Sequence, residues 1–150
     1  MRSLYRHRQI GWTIVIVLGL AALFAAAAGL ATLRPTLLLV VAVTLLTGLL
    51  FSSLTIEVTA NELVWFFGPG FLKRRVARSE IAKVELSRNK WWWGWGVHLT
   101  PHGWLYNVDG LEAVEITQKD GTSFRLGTDE PQALARALGF GTREGLAREE

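Results

Sequence analysis

Hydrophobic positions along this chain follow three successive periods. From residue 10 to residue 33 there is no charged side chain, and a second uncharged run covers residues 36–54 after an Arg34-Pro35 break. At ~1.5 Å of helical rise per residue the runs reach ~36 Å and ~28 Å, against ~30 Å of bilayer hydrocarbon. Proline lacks an N–H and disfavours helix at the residue before it, so Arg34-Pro35 reads as a tight turn. Residues 10–54 are therefore predicted as a two-helix transmembrane hairpin. The rival reading is a signal peptide, whose apolar region would be ~7–15 residues long and would end at a cleavage site. Here a second span follows at once.

The period then falls to two. Alternating or doubly apolar stretches at 54–59, 62–67, 71–77, 81–86, 96–100, 103–107, 111–117 and 122–126 read as short strands. Asp120-Gly121 gives a strong hairpin signal between the last two. Near Asp129 the period becomes helical. Thr128 or Asp129 can cap, Pro131 fits the first turn, and Gly139 suits a stop. Leu134 and Leu138, four apart, would share the buried face. Four segments result: a basic N-terminus (1–9), the hairpin (10–54), a β-rich domain (55–138) and a flexible tail (139–150).

Charge gives the hairpin a direction. Residues 1–53 carry Arg2, Arg6, Arg8 and Arg34 and no acid, whereas all 13 acids lie beyond them. The net charge of +3 and the pI near 9.7 thus reflect residues flanking an anchor and give no reason to expect nucleic-acid binding. Arg2, Arg6 and Arg8 precede the first span; Lys73, Arg74, Arg75 and Arg78 follow the second; only Arg34 occupies the turn. Both termini are expected in the cytoplasm. Ala21, Ala25 and Gly29 repeat every four residues, as do Thr44 and Gly48, and small faces of this kind let helices approach closely. Their expected use is packing within the hairpin, with self-association as the alternative. Neither span carries an ionisable side chain in its interior, which weighs against an ion or proton pathway. The lack of cysteine excludes disulfides, thiolate zinc sites and a cysteine nucleophile.

Seven or so short strands followed by one helix suit a partly open barrel plugged by its C-terminal helix. Phe67-Gly68, residues 81–84 (Ile-Ala-Lys-Val), Gly94-Trp95-Gly96, residues 103–107 (Gly-Trp-Leu-Tyr-Asn), Asp109-Gly110, residues 113–116 (Ala-Val-Glu-Ile) and Gly127-Thr128-Asp129 with Pro131 carry a resemblance. Over roughly residues 54–138 the chain resembles the bacterial pleckstrin-homology-like (PH-like) domain family, which often joins such a domain to one or two membrane spans. The resemblance implies a transmembrane α-helical hairpin followed by a mainly-β, PH-like, partly open barrel capped by a C-terminal helix. It implies a multi-pass protein of the bacterial cytoplasmic (inner) membrane. It names no activity and no cofactor. The Trp91-Trp92-Trp93 run departs from the single aromatic usual there.

Two clusters are candidate contact sites. Trp91, Trp92, Trp93 and Trp95 lie beside Arg88 and Lys90. Tryptophan favours the membrane–water interface, where the ring is sheltered and its N–H stays wet. The segment would dip into lipid or grip a partner; alternatively, some of its rings plug the barrel. On a strand, Trp92 would point opposite to Trp91 and Trp93, leaving at least one ring outside. Lys73, Arg74 and Arg75, with Arg78, form the basic cluster. Alternation puts Lys73 and Arg75 on one face, against anionic lipid headgroups or merely in water, balanced by Glu57, Glu80 and Glu85. His98 and His102 lack an evident third metal ligand. Asp109, Asp120 and Asp129 suit turns and caps. No serine has a nucleophile-elbow context. The expectation is a non-enzymatic membrane-anchored module that binds lipid headgroups or protein partners. The alternative is an accessory or assembly subunit of a larger membrane complex that uses the small hairpin faces.

Overall fold

The computed structural model describes residues 2–140. The chain opens with a strand, β1 (Ser3–Ile10), that runs directly into helix α1 (Trp12–Thr32). Helix α2 (Thr36–Phe51) returns and runs directly into β2 (Ser53–Thr59). The two strands pair antiparallel, with Ile10 opposite Ser53 and Arg6 opposite Glu57. At the junction the Gly11 N–H donates to the Ser52 carbonyl at 2.8 Å. The strand ladder thus passes into a helical hairpin without a loop. Gly11 is required there, because a Cβ would lie 2.9 Å from the Val108 carbonyl oxygen.

Both helices are shorter than the uncharged runs. The strands take residue 10 at one end and residues 53 and 54 at the other. The 21-residue α1 is long and apolar enough to cross a membrane; α2, with 16 residues, is shorter. Their outer surfaces are bare. Phe24 is 79% exposed and Leu30 75%. Contiguous exposed apolar surface of this kind marks a face that meets a membrane or another protein.

The seam between the helices follows a heptad, with alternating steps of three and four. Ala22, Ala25 and Gly29 are the buried residues of α1. They share a stripe with Val15 and Leu18, which are half-buried, as are Leu37, Val41, Thr44 and Gly48 on α2. A 3.5-residue period keeps one stripe facing a neighbour along a left-handed crossing. Gly48 meets Leu18, and Gly29 meets Leu37. Ala21, expected in the seam from the strict four-residue spacing, is exposed; Ala22 takes its place. Thr44 satisfies its hydroxyl by donating to the Val40 carbonyl at 2.8 Å.

The β domain comprises two sheets that share one core. The first has the order β1-β2-β3-β4, with β3 at Glu62–Phe67 and β4 at Phe71–Ala77. The second has the order β5-β8-β9-β7-β6. Its strands are β5 (Ile81–Arg88), β6 (Gly96–Thr100), β7 (Gly103–Asn107), β8 (Glu112–Gln118) and β9 (Ser123–Gly127). Pairing is antiparallel except between β7 and β9. Alternate residues of each sheet meet in the middle: Leu54, Ile56, Leu63, Trp65 and Phe67 face Tyr106, Val114, Ile116, Phe124 and Leu126. Helix α3 (Pro131–Ala137) adds Leu134, and Leu138 follows it into the core. The domain is thus two mostly antiparallel sheets with a C-terminal helix. Neither Thr128 nor Asp129 caps α3 through its side chain: Glu130 is the N-cap, and the Thr128 hydroxyl accepts from the Glu130 N–H at 3.1 Å. Of the expected tail, Phe140 packs against the core; residues 141–150 lie outside the described residues.

The basic N-terminus forms a strand, β1, which hydrophobic periodicity did not indicate. Its inward residues are polar. The Tyr5 hydroxyl donates to Glu130 Oε2 at 3.2 Å, and His7 Nε2 lies 2.6 Å from Asp129 Oδ1. The strand is thereby clasped to the start of α3.

Two predictions follow from this framework. Gly29→Leu drives a side chain into Leu37 and should cost about 1–3 kcal/mol, read as earlier thermal unfolding in detergent, whereas Ala21→Leu should leave the midpoint unchanged. Burial, then the charge of Glu130, pushes the Tyr5 hydroxyl above its ordinary value of 10.0. The unfolded chain therefore loses this proton first, and stability should fall as pH rises past 10. Tyr5→Phe should flatten that alkaline decline in denaturant titrations; an unchanged slope would refute the assignment.

Candidate membrane-facing site

Register fixes which end of the β domain faces the hairpin. Asn107 ends β7, and the next residue, Val108, is the one Gly11 packs against. Gly96 opposes Asn107, so β6 begins at that end. Arg88 opposes Glu112, and the Asn89 N–H donates to the Leu111 carbonyl at 2.7 Å, so β5 finishes there too. Both ends of the tryptophan segment, residues 89–95, are therefore anchored at the end from which the helices leave.

Within the segment, residues Trp91–Trp93 form a 3₁₀ turn rather than a strand. Three residues per turn send three rings in three directions, which replaces the expected up-down alternation. Trp93 lies against the outer face of the second sheet. Its ring sits 5.3 Å from the Arg125 guanidinium and 5.9 Å from the His102 ring. Arg125 in turn donates to Glu115 Oε2 at 2.7 Å. This ion pair is nearly buried on a strand's outer side, and a nearly buried ion pair needs a well-fitted cover. Trp93 is part of that cover. Trp91 and Trp92 pack edge to face 5.8 Å apart, and remain 75% and 62% exposed. Lys90 Nζ lies 5.3 Å over the Trp92 ring, a cation–π arrangement. Trp95 is also exposed, and its carbonyl accepts from the His98 ring. Arg88 and Lys90 are exposed beside them.

The basic strand β4 divides its charges between two faces. Arg74 opposes Trp65 and Arg75 opposes Val64. Cross-strand partners share a face, so Arg74 lies on the core side. Lys73 and Arg75 share the outer side, as alternation predicts. Lys73 Nζ sits 5.9 Å over the Phe66 ring. Arg78 donates to the Thr59 carbonyl, which ties it to the first sheet. The structure does not join β4 and the tryptophan segment into one cluster; they belong to different sheets.

A third feature escaped the sequence reading. Arg8, Gln9, Ile10, Trp12, Asp109 and Gly110 line most of an open groove of about 530 Å³ at the foot of α1. Gln9 donates to the Asp109 carbonyl and Thr13 to Asp109 Oδ1, each at 3.1 Å, which binds the helix start to the domain. Trp12 is 60% exposed at this level. A tryptophan near the start of an apolar run was the available signal.

Scans against protein-family models, curated proteins and solved structures return no match.

The division of labour among the rings is measurable. Trp93→Ala should lower stability by about 2 kcal/mol, less than the ~3–5 kcal/mol of a fully buried ring. Trp91→Ser and Trp92→Ser should each stay within ~0.5 kcal/mol, as surface changes do. Thermal unfolding of the full chain in detergent reads all three.

Proposed function

We propose that the chain is a non-enzymatic PH-like module held in the bacterial cytoplasmic membrane by its two-helix hairpin, with both termini inside. In this reading the hairpin end of the β domain contacts lipid headgroups or a membrane-bound protein partner. The observation that carries it is the pair of exposed rings, Trp91 and Trp92 with Lys90, on a segment rooted where α1 and α2 leave the domain. Such rings gain from an interface that is part apolar and part wet.

Topology is supported by the β1–β2 pairing. Two strands in one ladder lie on one side of any membrane, so if α1 crosses, α2 crosses back. The shorter α2 would span with local bilayer thinning, a modest cost. Arg2, Arg6 and Arg8 on β1 and the basic residues of β4 then favour the cytoplasmic side. The two mostly antiparallel sheets and the C-terminal helix agree with a PH-like fold. The accessory-subunit reading gains less support, because Ala22, Ala25, Gly29 and Gly48 already face the partner helix.

Two experiments test the proposal. A reporter active only outside the cytoplasm, fused after Glu150, should stay silent; strong activity would reverse the topology. In nanodiscs containing lipids brominated near the glycerol level, the double variant Trp91→Ser/Trp92→Ser should lose a clear share of tryptophan quenching. Equal fractional quenching, with no protein co-purifying through these rings in gentle detergent, would sink the contact role.

A further inference from the structure

The open side of the core, away from the hairpin, holds a groove of about 260 Å³ between the two sheets. Four rings line it: Trp65, Trp104, Tyr106 and Phe124. Trp65 stacks on Phe124 at 4.8 Å and meets Tyr106 edge-on at 5.3 Å. Trp104 is left 50% exposed at the rim.

The polar lining is one-sided. It comes from Arg74, Arg75, Gln118, Thr122 and Ser123, of which Arg74 lies on the core side of β4. No carboxylate lines the groove, and neither arginine forms a salt bridge among the described residues. The indole N–H of Trp65, a residue 97% buried, has no hydrogen-bond partner. A buried donor left without an acceptor is costly, and the residue that carries it lines the groove. Burial pushes the Tyr106 hydroxyl up, and the positive charge of Arg74 partly offsets this.

We infer that this groove binds a small soluble organic anion: a carboxylate or phosphate group joined to a flat apolar body. The exposed ring of Trp104 would cover the apolar part beside the buried rings, in keeping with small-molecule sites that combine aromatic walls with few polar groups. Arg74 would take the anionic group in a charge-assisted, two-pronged bond. The volume lies just below the ~300–1,000 Å³ usual for such sites, which limits the body to about one ring. The position separates this ligand from a headgroup. Trp104 opposes Leu99 beside the turn that joins β6 to β7, the far end of β7 from Val108. Gln118 and Thr122 flank the β8–β9 turn at the same far end. The mouth therefore opens away from the foot of the hairpin. The inference stands apart from the proposed membrane contact, which uses other residues.

The test is calorimetric titration of the full chain in phosphatidylcholine nanodiscs with phenyl phosphate, benzoate and neutral benzyl alcohol. One of the anions should bind saturably and about tenfold tighter than benzyl alcohol, and Arg74→Gln should abolish that difference. Trp104→Ala should weaken anion binding, whereas Lys73→Gln, on the opposite face of β4, should not. Rising salt should weaken binding in the unaltered chain, which tests the charge contribution without a variant. No saturable anion binding, or equal affinity in Arg74→Gln, would overturn the inference. Loss of binding when the nanodiscs contain phosphatidylglycerol would show that headgroups occupy the groove, and would overturn the soluble source.

Discussion

Everything in this fold hangs on backbone hydrogen bonding at one junction. A helix end leaves N–H and C=O groups without intrahelical partners. Here the helix ends are stitched to strand ends. Gly11 donates to Ser52, Val15 returns to the Gly11 carbonyl, and Gly68 donates to Ser53. The ladder of the first sheet continues until the helical pattern takes over. The close approach of Gly11 to Val108 then locks the second sheet to the same point. The direction of every strand relative to the hairpin follows.

That direction separates two kinds of tryptophan with one sequence signature. Trp93 shields Arg125 and Glu115, whose pairing on the outer face would otherwise meet solvent on one side. Trp91 and Trp92 have no such duty. A short 3₁₀ turn suffices to send them elsewhere. The same economy operates on β4, where one register position puts Arg74 on the core side with Trp65 and Lys73 on the other.

Legibility in the sequence tracked how one-sided each element is. The helices were evident because uncharged runs of that length have few other uses. Strand β3 lies where its doubly apolar pattern put it, and the β8–β9 turn where Asp120-Gly121 put it. Strand β1 was hidden because both its faces are polar: Arg6 and Arg8 outward, Tyr5, His7 and Gln9 inward. Its alternation is real, but hydrophobicity does not report it. The seam was half legible. Ala25 and Gly29 are in it, yet a four-residue ruler drifts off a heptad by Ala21. The tryptophan cluster was visible as composition, its division among three directions was not, because 3₁₀ geometry has no pattern over three identical residues. The aromatic groove draws on β3, β4, β7 and β9, and no local pattern spans such distances.

The pairing of β1 with β2 also orders events in time. Strand β1 is synthesised first, yet its ladder partner follows both helices. Closing that pair means bringing together chain ends separated by the entire hairpin, a non-local contact of the kind that slows folding. The waiting strand is short and carries Arg6 and Arg8, which blunt a bare edge against wrong pairing. Once α1 and α2 have zipped along their seam, the separation collapses and residues 10 and 53 arrive side by side. The β1–β2 ladder thus couples completion of the first sheet to closure of the helical hairpin.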